Sequence, residues 1–204
     1  DYYRANSLVE AQRLLQAHPG AKLLAGGHSL IPLMKLRLAT PSTIIDVGRI
    51  SALRGVEVGN GLVVGALTTH AEIAASEIVK QHSPMLAEAA GLIGDPQVRN
   101  RGTIGGNVAH ADPASDLPTV LAALDAQFRV LGPGGERTVA AREFFVPPRV
   151  DLKRENVLEP GEILIGMTLP PEHAGRRGTY KKIMDREAWT HAVVSCALTL
   201  DMSG

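Results

Sequence analysis

The chain has 204 residues, with 21 Lys plus Arg balanced by 21 Asp plus Glu, and a single cysteine, Cys196. A chain of this length forms one large domain or two small ones without covalent staples, burying roughly 70% of its unfolded surface. The charge balance excludes a broad basic field for nucleic acid or an anionic membrane, and one thiol excludes both a disulfide framework and an iron–sulfur cluster held by this chain's thiolates alone.

Taken in chain order, Ser7-Leu8-Val9-Glu10 has capping-box spacing, and Leu8, Ala11 and Leu15 share one helical face, which predicts a first helix. Lys22 to Ala25 reads as a short strand that ends at the pair Gly26-Gly27, after which Ser29 to Leu38 is expected to be helical. Pro32 is compatible with that helix because first-turn amides lack intrahelical partners. Thr43 to Val47 reads as a strand, and Val56 to Val58 with Leu62 to Gly65 as a hairpin about Gly59-Asn60-Gly61. Thr69-His70-Ala71-Glu72 repeats the capping-box spacing, and Pro84 to Ile93 reads as another helix. A second glycine turn, Thr103-Ile104-Gly105-Gly106-Asn107, is expected next.

Beyond it, Ser115 or Asp116 caps a helix running to Leu124, and Ala126 to Leu131 pairs with Glu136 to Val139 across Gly132-Pro133-Gly134-Gly135. Ile163 to Leu169, Gly178 to Ile183 and Ala192 to Leu200 are further strands, so the first half reads as partly parallel and the second as antiparallel. A subdomain boundary is expected near residue 53, giving an N-terminal α/β subdomain 1–53 and a second one, 54–204. Cys196, inside Val193-Val194-Ser195-Cys196-Ala197-Leu198, is expected to be a buried small hydrophobe. No apolar stretch approaches the roughly 20 residues needed to span a bilayer and no signal peptide opens the chain, so the cytoplasm is the expected location.

The two glycine pairs carry the functional signal. Glycine adopts dihedrals that let consecutive amides converge on phosphate oxygens, and Ser29 and Thr103 would add hydroxyl donors. Neither run has Walker A spacing, and no G-x-G-x-x-G opens a helix, so a nucleotide would be held by another fold. A lone glycine pair after a strand is more often a plain turn; two of them, each beside hydroxyl or amide side chains, make phosphate binding and a plain turn equal readings.

The runs Leu23-Leu24-Ala25-Gly26-Gly27-His28-Ser29-Leu30-Ile31-Pro32-Leu33-Met34-Lys35-Leu36-Arg37, Arg101-Gly102-Thr103-Ile104-Gly105-Gly106-Asn107 and Ala111-Asp112-Pro113-Ala114-Ser115-Asp116-Leu117-Pro118 resemble the FAD-binding medium subunit of the molybdenum hydroxylases. That is the family of aerobic carbon monoxide dehydrogenase and xanthine dehydrogenase, and the likeness extends from about Tyr2 to Asp201. It implies an α+β fold of the vanillyl-alcohol-oxidase (PCMH-type) FAD-binding class, with FAD between two α/β subdomains.

By position, the resemblance implies that Ala25, Gly26, Gly27, His28 and Ser29, with Thr103, Ile104, Gly105, Gly106 and Asn107, contact the FAD pyrophosphate and its surroundings. Leu23, Leu24 and Leu30 would line the first loop, Leu164 would be an apolar contact, and Lys181 a flavin-side lysine that favours reduced, anionic flavin. Asp116 matches a carboxylate near the nucleotide, although an N-terminal Asp serves equally as the cap of its own helix. Tyr180 reads either as a ring-covering residue or as a core tyrosine, and Lys181 also reads as a solvated strand lysine. His110 and Asp112 lack a third ligand at metal-site spacing, so no metal is expected. Arg186, Glu187 and Trp189 form a polar-aromatic patch without an assigned role.

No nucleophile–base constellation is present, and redox chemistry is expected to come through FAD alone. The resemblance implies a molybdopterin-binding large subunit and a [2Fe–2S] small subunit as partners, in a dimer of heterotrimers, in the cytoplasm or at the inner face of the membrane. A stand-alone FAD oxidase and a subunit that has lost FAD are the competing expectations. Medium subunits continue for about another hundred residues, a typical domain length; that C-terminal domain is read as absent here, and both ends of the chain as open to extension.

Overall fold

A computed structural model describes residues 1–147, 149–152, 154–185 and 191–200. Arg186, Glu187 and Trp189 lie outside the described residues. The first 46 residues supply β1 (Tyr2–Arg4), α1 (Leu8–Ala17), β2 (Lys22–Leu24), α2 (Leu30–Lys35) and β3 (Ile44–Asp46). Their strands form a parallel sheet in the order β1-β3-β2. Ser7 caps α1 by accepting the Glu10 amide at 3.1 Å, while Glu10 turns back to the Asn6 amide at 2.9 Å rather than to that of Ser7. The amphipathic face of α1 buries Ala11 and Leu14 against Ala5, Ile45 and Val47.

The middle of the chain contains β4 (Val56–Gly59), β5 (Gly61–Gly65), α3 (His70–Ala75), α4 (Glu77–His82), α5 (Pro84–Gly91), α6 (Pro96–Arg101), α7 (Ile104–His110), α8 (Asp116–Ala123), β6 (Gln127–Gly132), β7 (Gly135–Ala140), α9 (Ala141–Phe144) and β8 (Ile163–Leu169). The strands form an antiparallel sheet in the order β4-β5-β8-β6-β7. Its central strand β8 is buried on both faces. Leu164, Met167 and Leu169 join the helix-side core with Phe128, Leu86 and Leu117, whereas Ile163 and Ile165 join Ile45 and Leu53 of the first core. This two-sided strand welds the parallel sheet to the antiparallel one.

The capping box at α3 is fully formed: Thr69 Oγ1 accepts from the Glu72 amide at 3.3 Å, and Glu72 Oε2 accepts from the Thr69 amide at 2.8 Å. Thr69→Ala removes one half of it and is expected to lower stability by about 1 kcal/mol, measured by urea unfolding.

The final strands, β9 (Arg177–Ile183) and β10 (Val194–Leu200), form a separate antiparallel pair rather than extending the five-stranded sheet. Helices α5 and α8 cover one face of the pair. Alternation therefore sorts the side chains: Gly178, Tyr180 and Lys182 turn inward, while Arg177, Thr179, Lys181 and Ile183 are exposed. On β10 the half-buried residues are Ser195, Ala197 and Thr199. Cys196 is exposed, contrary to the expectation from its apolar run. The run is covered on one side only, and Cys196 shares the open face with Val194, Leu198 and Leu200.

Candidate functional site

The first glycine segment leaves the end of β2 and turns into α2. Gly27 has φ +79°, a backbone region that glycine enters without the Cβ penalty. No acceptor among the described residues takes the amides of Gly26, Gly27, His28 or Ser29. The carbonyls of Gly27 and Ser29, by contrast, accept from Ile31 and Leu33 at 3.2 and 3.1 Å. Ser29 makes no side-chain capping bond. His28 is exposed, with Nδ1 3.1 Å from the Gly26 carbonyl oxygen, so it shapes the loop. Leu23, Leu24, Ala25 and Leu30 are half-buried around this run of free donors. Consecutive free amides are donors that could hold an anion, and hydrogen bonds to an ionised acceptor are roughly twice as strong as neutral ones.

The second segment is a different device. The sequence reads as a turn, but Thr103 is the cap of α7 and both glycines lie inside that helix. Its amides are already committed: Ile104 donates to the Thr68 carbonyl at 3.0 Å, Gly105 to that of Ala66 at 2.9 Å, Gly106 to Thr103 Oγ1 at 3.1 Å and Asn107 to the Thr103 carbonyl at 3.0 Å. Glycine is required at 105 for close packing, since a Cβ there would lie 2.5 Å from Ala66 Cβ. With those amides spent, the polar groups this segment has left are on its side chains. Asn107 donates Nδ2 to Ser115 Oγ at 3.2 Å and keeps Oδ1 buried with no hydrogen-bond partner.

The two segments nevertheless meet. A Cβ on Gly26 would collide with the Arg101 carbonyl oxygen and lie 2.9 Å from Gly102 Cα, and a Cβ on Gly106 would lie 3.9 Å from Ala25 Cβ. The first loop thus rests on the backbone that leads into α7. Behind that contact, the His70 amide donates to the Gly102 carbonyl at 3.0 Å and its ring lies under Gly102, 2% exposed, with Nδ1 lacking a hydrogen-bond partner. Burial, reinforced by the nearby His28 charge, pushes the His70 imidazole down to about 4.

Asp116 is buried at the first position of α8, whose N-cap residue Ser115 makes no side-chain capping bond. Tyr180 Oη donates to its Oδ1 at 2.5 Å, and Lys182 Nζ to its Oδ2 at 2.9 Å. Burial and the Asp116 carboxylate push the Tyr180 phenol well above its ordinary value. Tyr180 is fully buried, the core-tyrosine alternative. Lys181 points the other way, with its side chain 78% exposed and Nζ 3.5 Å from Glu88 Oε1. Strand parity therefore brings Lys182, not Lys181, to the carboxylate. The sequence signal for it is the alternation Gly178, Tyr180, Lys182. Leu164 lies in the helix-side core. No cluster of three metal-ligating side chains occurs among the described residues, and no described helix is long and apolar enough to cross a membrane.

Free amides beside a glycine-only backbone contact, together with a buried orphan acceptor, fit a ligand that carries both phosphate oxygens and hydrogen-bond donors, as a flavin dinucleotide does. Known proteins point the same way. The carbon monoxide dehydrogenase medium chain of Hydrogenophaga pseudoflava is 44% identical over 206 residues, covering 100% of this chain and 70% of that protein. The glyceraldehyde dehydrogenase medium chain of Sulfolobus acidocaldarius is 40% identical over 205 residues, with 100% and 70% covered. Among solved structures, the cyanide-inactivated Cu,Mo-CO dehydrogenase superposes with a TM-score of 0.92 at 39% identity, over 100% of this chain and 70% of that one. Residues 1–172 match the FAD binding domain in molybdopterin dehydrogenase. The α+β, PCMH-type expectation holds, and the chain belongs to the FAD-binding medium-subunit family of the molybdenum hydroxylases, as an oxidoreductase subunit.

Proposed function

We propose that this chain is the electron-transfer subunit of a molybdenum hydroxylase complex, passing electrons from the [2Fe–2S] clusters of a small partner subunit through FAD to an external acceptor. Its other partner is a molybdopterin-binding large subunit, in a dimer of heterotrimers within the cytoplasm or at the inner face of the membrane. The observation that carries the reading is the set of unpaired amides at Gly26 to Ser29, on a loop held against the Arg101–Gly102 backbone.

In this reading the Gly26, Gly27, His28 and Ser29 amides and the Ser29 hydroxyl bind the pyrophosphate oxygens. Thr103 Oγ1 accepts from Gly106 and keeps its own hydrogen to donate. Asn107 accepts a donor of the nucleotide, while Leu23, Leu24 and Leu30 exclude water from the loop. FAD supplies a carrier that takes up electrons singly and gives them up as a pair. The chain's contribution is to bind and orient it.

The protein should purify yellow with a flavin spectrum, or turn yellow when FAD is added. Mass analysis of chains purified with it should find a molybdopterin-binding and an iron–sulfur polypeptide. A colourless protein that FAD cannot reconstitute defeats the proposal. Flavin reduction by a small organic substrate in the absence of any partner chain would replace it with a self-contained oxidase.

A further inference from the structure

Both Asp116 oxygens accept from donors on β9, Tyr180 at 2.5 Å and Lys182 at 2.9 Å. The Lys182 side chain is 4% exposed and Nζ also donates to the Leu92 carbonyl at 3.0 Å. One residue before Asp116, Ser115 Oγ accepts Asn107 Nδ2 at 3.2 Å. A line of contacts therefore runs from β9 through the start of α8 to the amide in α7 whose Oδ1 is buried and unpartnered.

Two physical points give that line a purpose. Removing a charge pair from water costs several kcal/mol per ion before attraction is counted, so a buried pair is weak evidence for stability and better evidence for a fixed geometry. An orphan acceptor in a native protein calls for an explanation, and a ligand donor is one. The Asp116 clasp ties the first residue of α8 to β9, and Ser115, at the cap of that helix, accepts from the Asn107 amide.

We propose that Lys182, supported by Tyr180, is a positioning residue of the cofactor site: by clasping Asp116 it sets Ser115, and through Ser115 it holds Asn107 Oδ1 facing an N–H or hydroxyl donor of the bound flavin dinucleotide. The inference rests on the reading above that this chain holds FAD. Lys182 acts through Asp116 and does not itself touch the nucleotide in this scheme.

The test uses the purified protein with any chains that accompany it, and measures FAD dissociation by the recovery of flavin fluorescence, alongside the melting temperature of the FAD-free form. Lys182→Met and Asn107→Ala should each weaken FAD binding by roughly tenfold, and the double variant by no more than Asn107→Ala alone, because both act on one contact. Lys182→Arg should recover most of the loss. Should Lys182→Met fold poorly, Tyr180→Phe keeps the buried ring and carries the same cycle, with a loss of about threefold for one neutral donor. Additive losses in the double variant, or FAD held by the Lys182→Met protein as tightly as by the parent, overturn the inference. A parent that takes up no FAD overturns the reading beneath it instead.

Discussion

Gly26→Val is expected to release FAD and to lower the stability of the FAD-free protein in one stroke. Any Cβ at this position runs into the Arg101 carbonyl oxygen, a backbone atom that no rotamer change can move aside. Relief requires the loop and the end of α6 to separate, and overpacking of this kind costs on the order of 3 kcal/mol. The same separation parts the free amides of Gly26 to Ser29 from Asn107, so FAD affinity should fall at least about a hundredfold, the factor that follows from a similar energy. Gly20→Ala is the control. Gly20 has φ +82°, and a methyl group there would meet nothing within 4 Å. That variant therefore carries only the left-handed strain of roughly 1–2 kcal/mol and should keep FAD. Urea unfolding separates the two stabilities, and flavin retention on a desalting column separates the functions. If the Gly26→Val protein remains yellow, the two segments do not form one site.

The elements legible in the sequence are those specified by neighbouring residues. The β4–β5 and β6–β7 hairpins turn on glycine-rich tips and pair antiparallel as expected, and the Thr69–Glu72 box forms as its spacing requires. Distant partners are harder to read. Strand β1 is three residues of Tyr-Tyr-Arg whose pairing lies with β3, more than forty positions later, and nothing local announces it. The second glycine pair looks like a turn because glycine is a poor helix former. Glycine stands in this helix because Gly105 passes close to Ala66, a contact between residues about forty positions apart. The run Tyr180-Lys181-Lys182 does not say which lysine is covered until the parity of β9 is known, and there Lys182 is the one turned inward. Cys196 departs from expectation for the same reason: an apolar run says nothing about which alternate residues are covered. The family likeness implies contacts to the cofactor from both glycine segments alike, but only the fold separates a loop with free amides from a helix whose amides are spent.

Acid should weaken the protein through His70 before its carboxylates dominate. The imidazole titrates near 6.5 in the unfolded chain but is pushed down to about 4 in the fold, because burial under Gly102 disfavours the cation and His28 adds repulsion. A depressed folded value means that the unfolded chain binds the proton first. The contribution is therefore complete above pH 6.5, falls as pH drops toward 4, and is lost below that, a total of about 3 kcal/mol at 1.4 kcal/mol per pH unit. Carboxylates paired in the fold, Glu72 and Glu162 among them, have folded values lowered by their Arg54 and Arg137 partners and so also lose stability in acid, which obscures the histidine in the native protein alone. His70→Leu provides the subtraction, since it fills the same buried space with a side chain that cannot be charged. Unfolding free energies of both proteins, measured by urea from pH 7 to 4, should show the native protein losing about 3 kcal/mol more than the variant across that interval. Parallel curves would mean that the ring escapes to solvent when protonated, and that the packing of α3 beneath the entry to α7 is looser than its 2% exposure states.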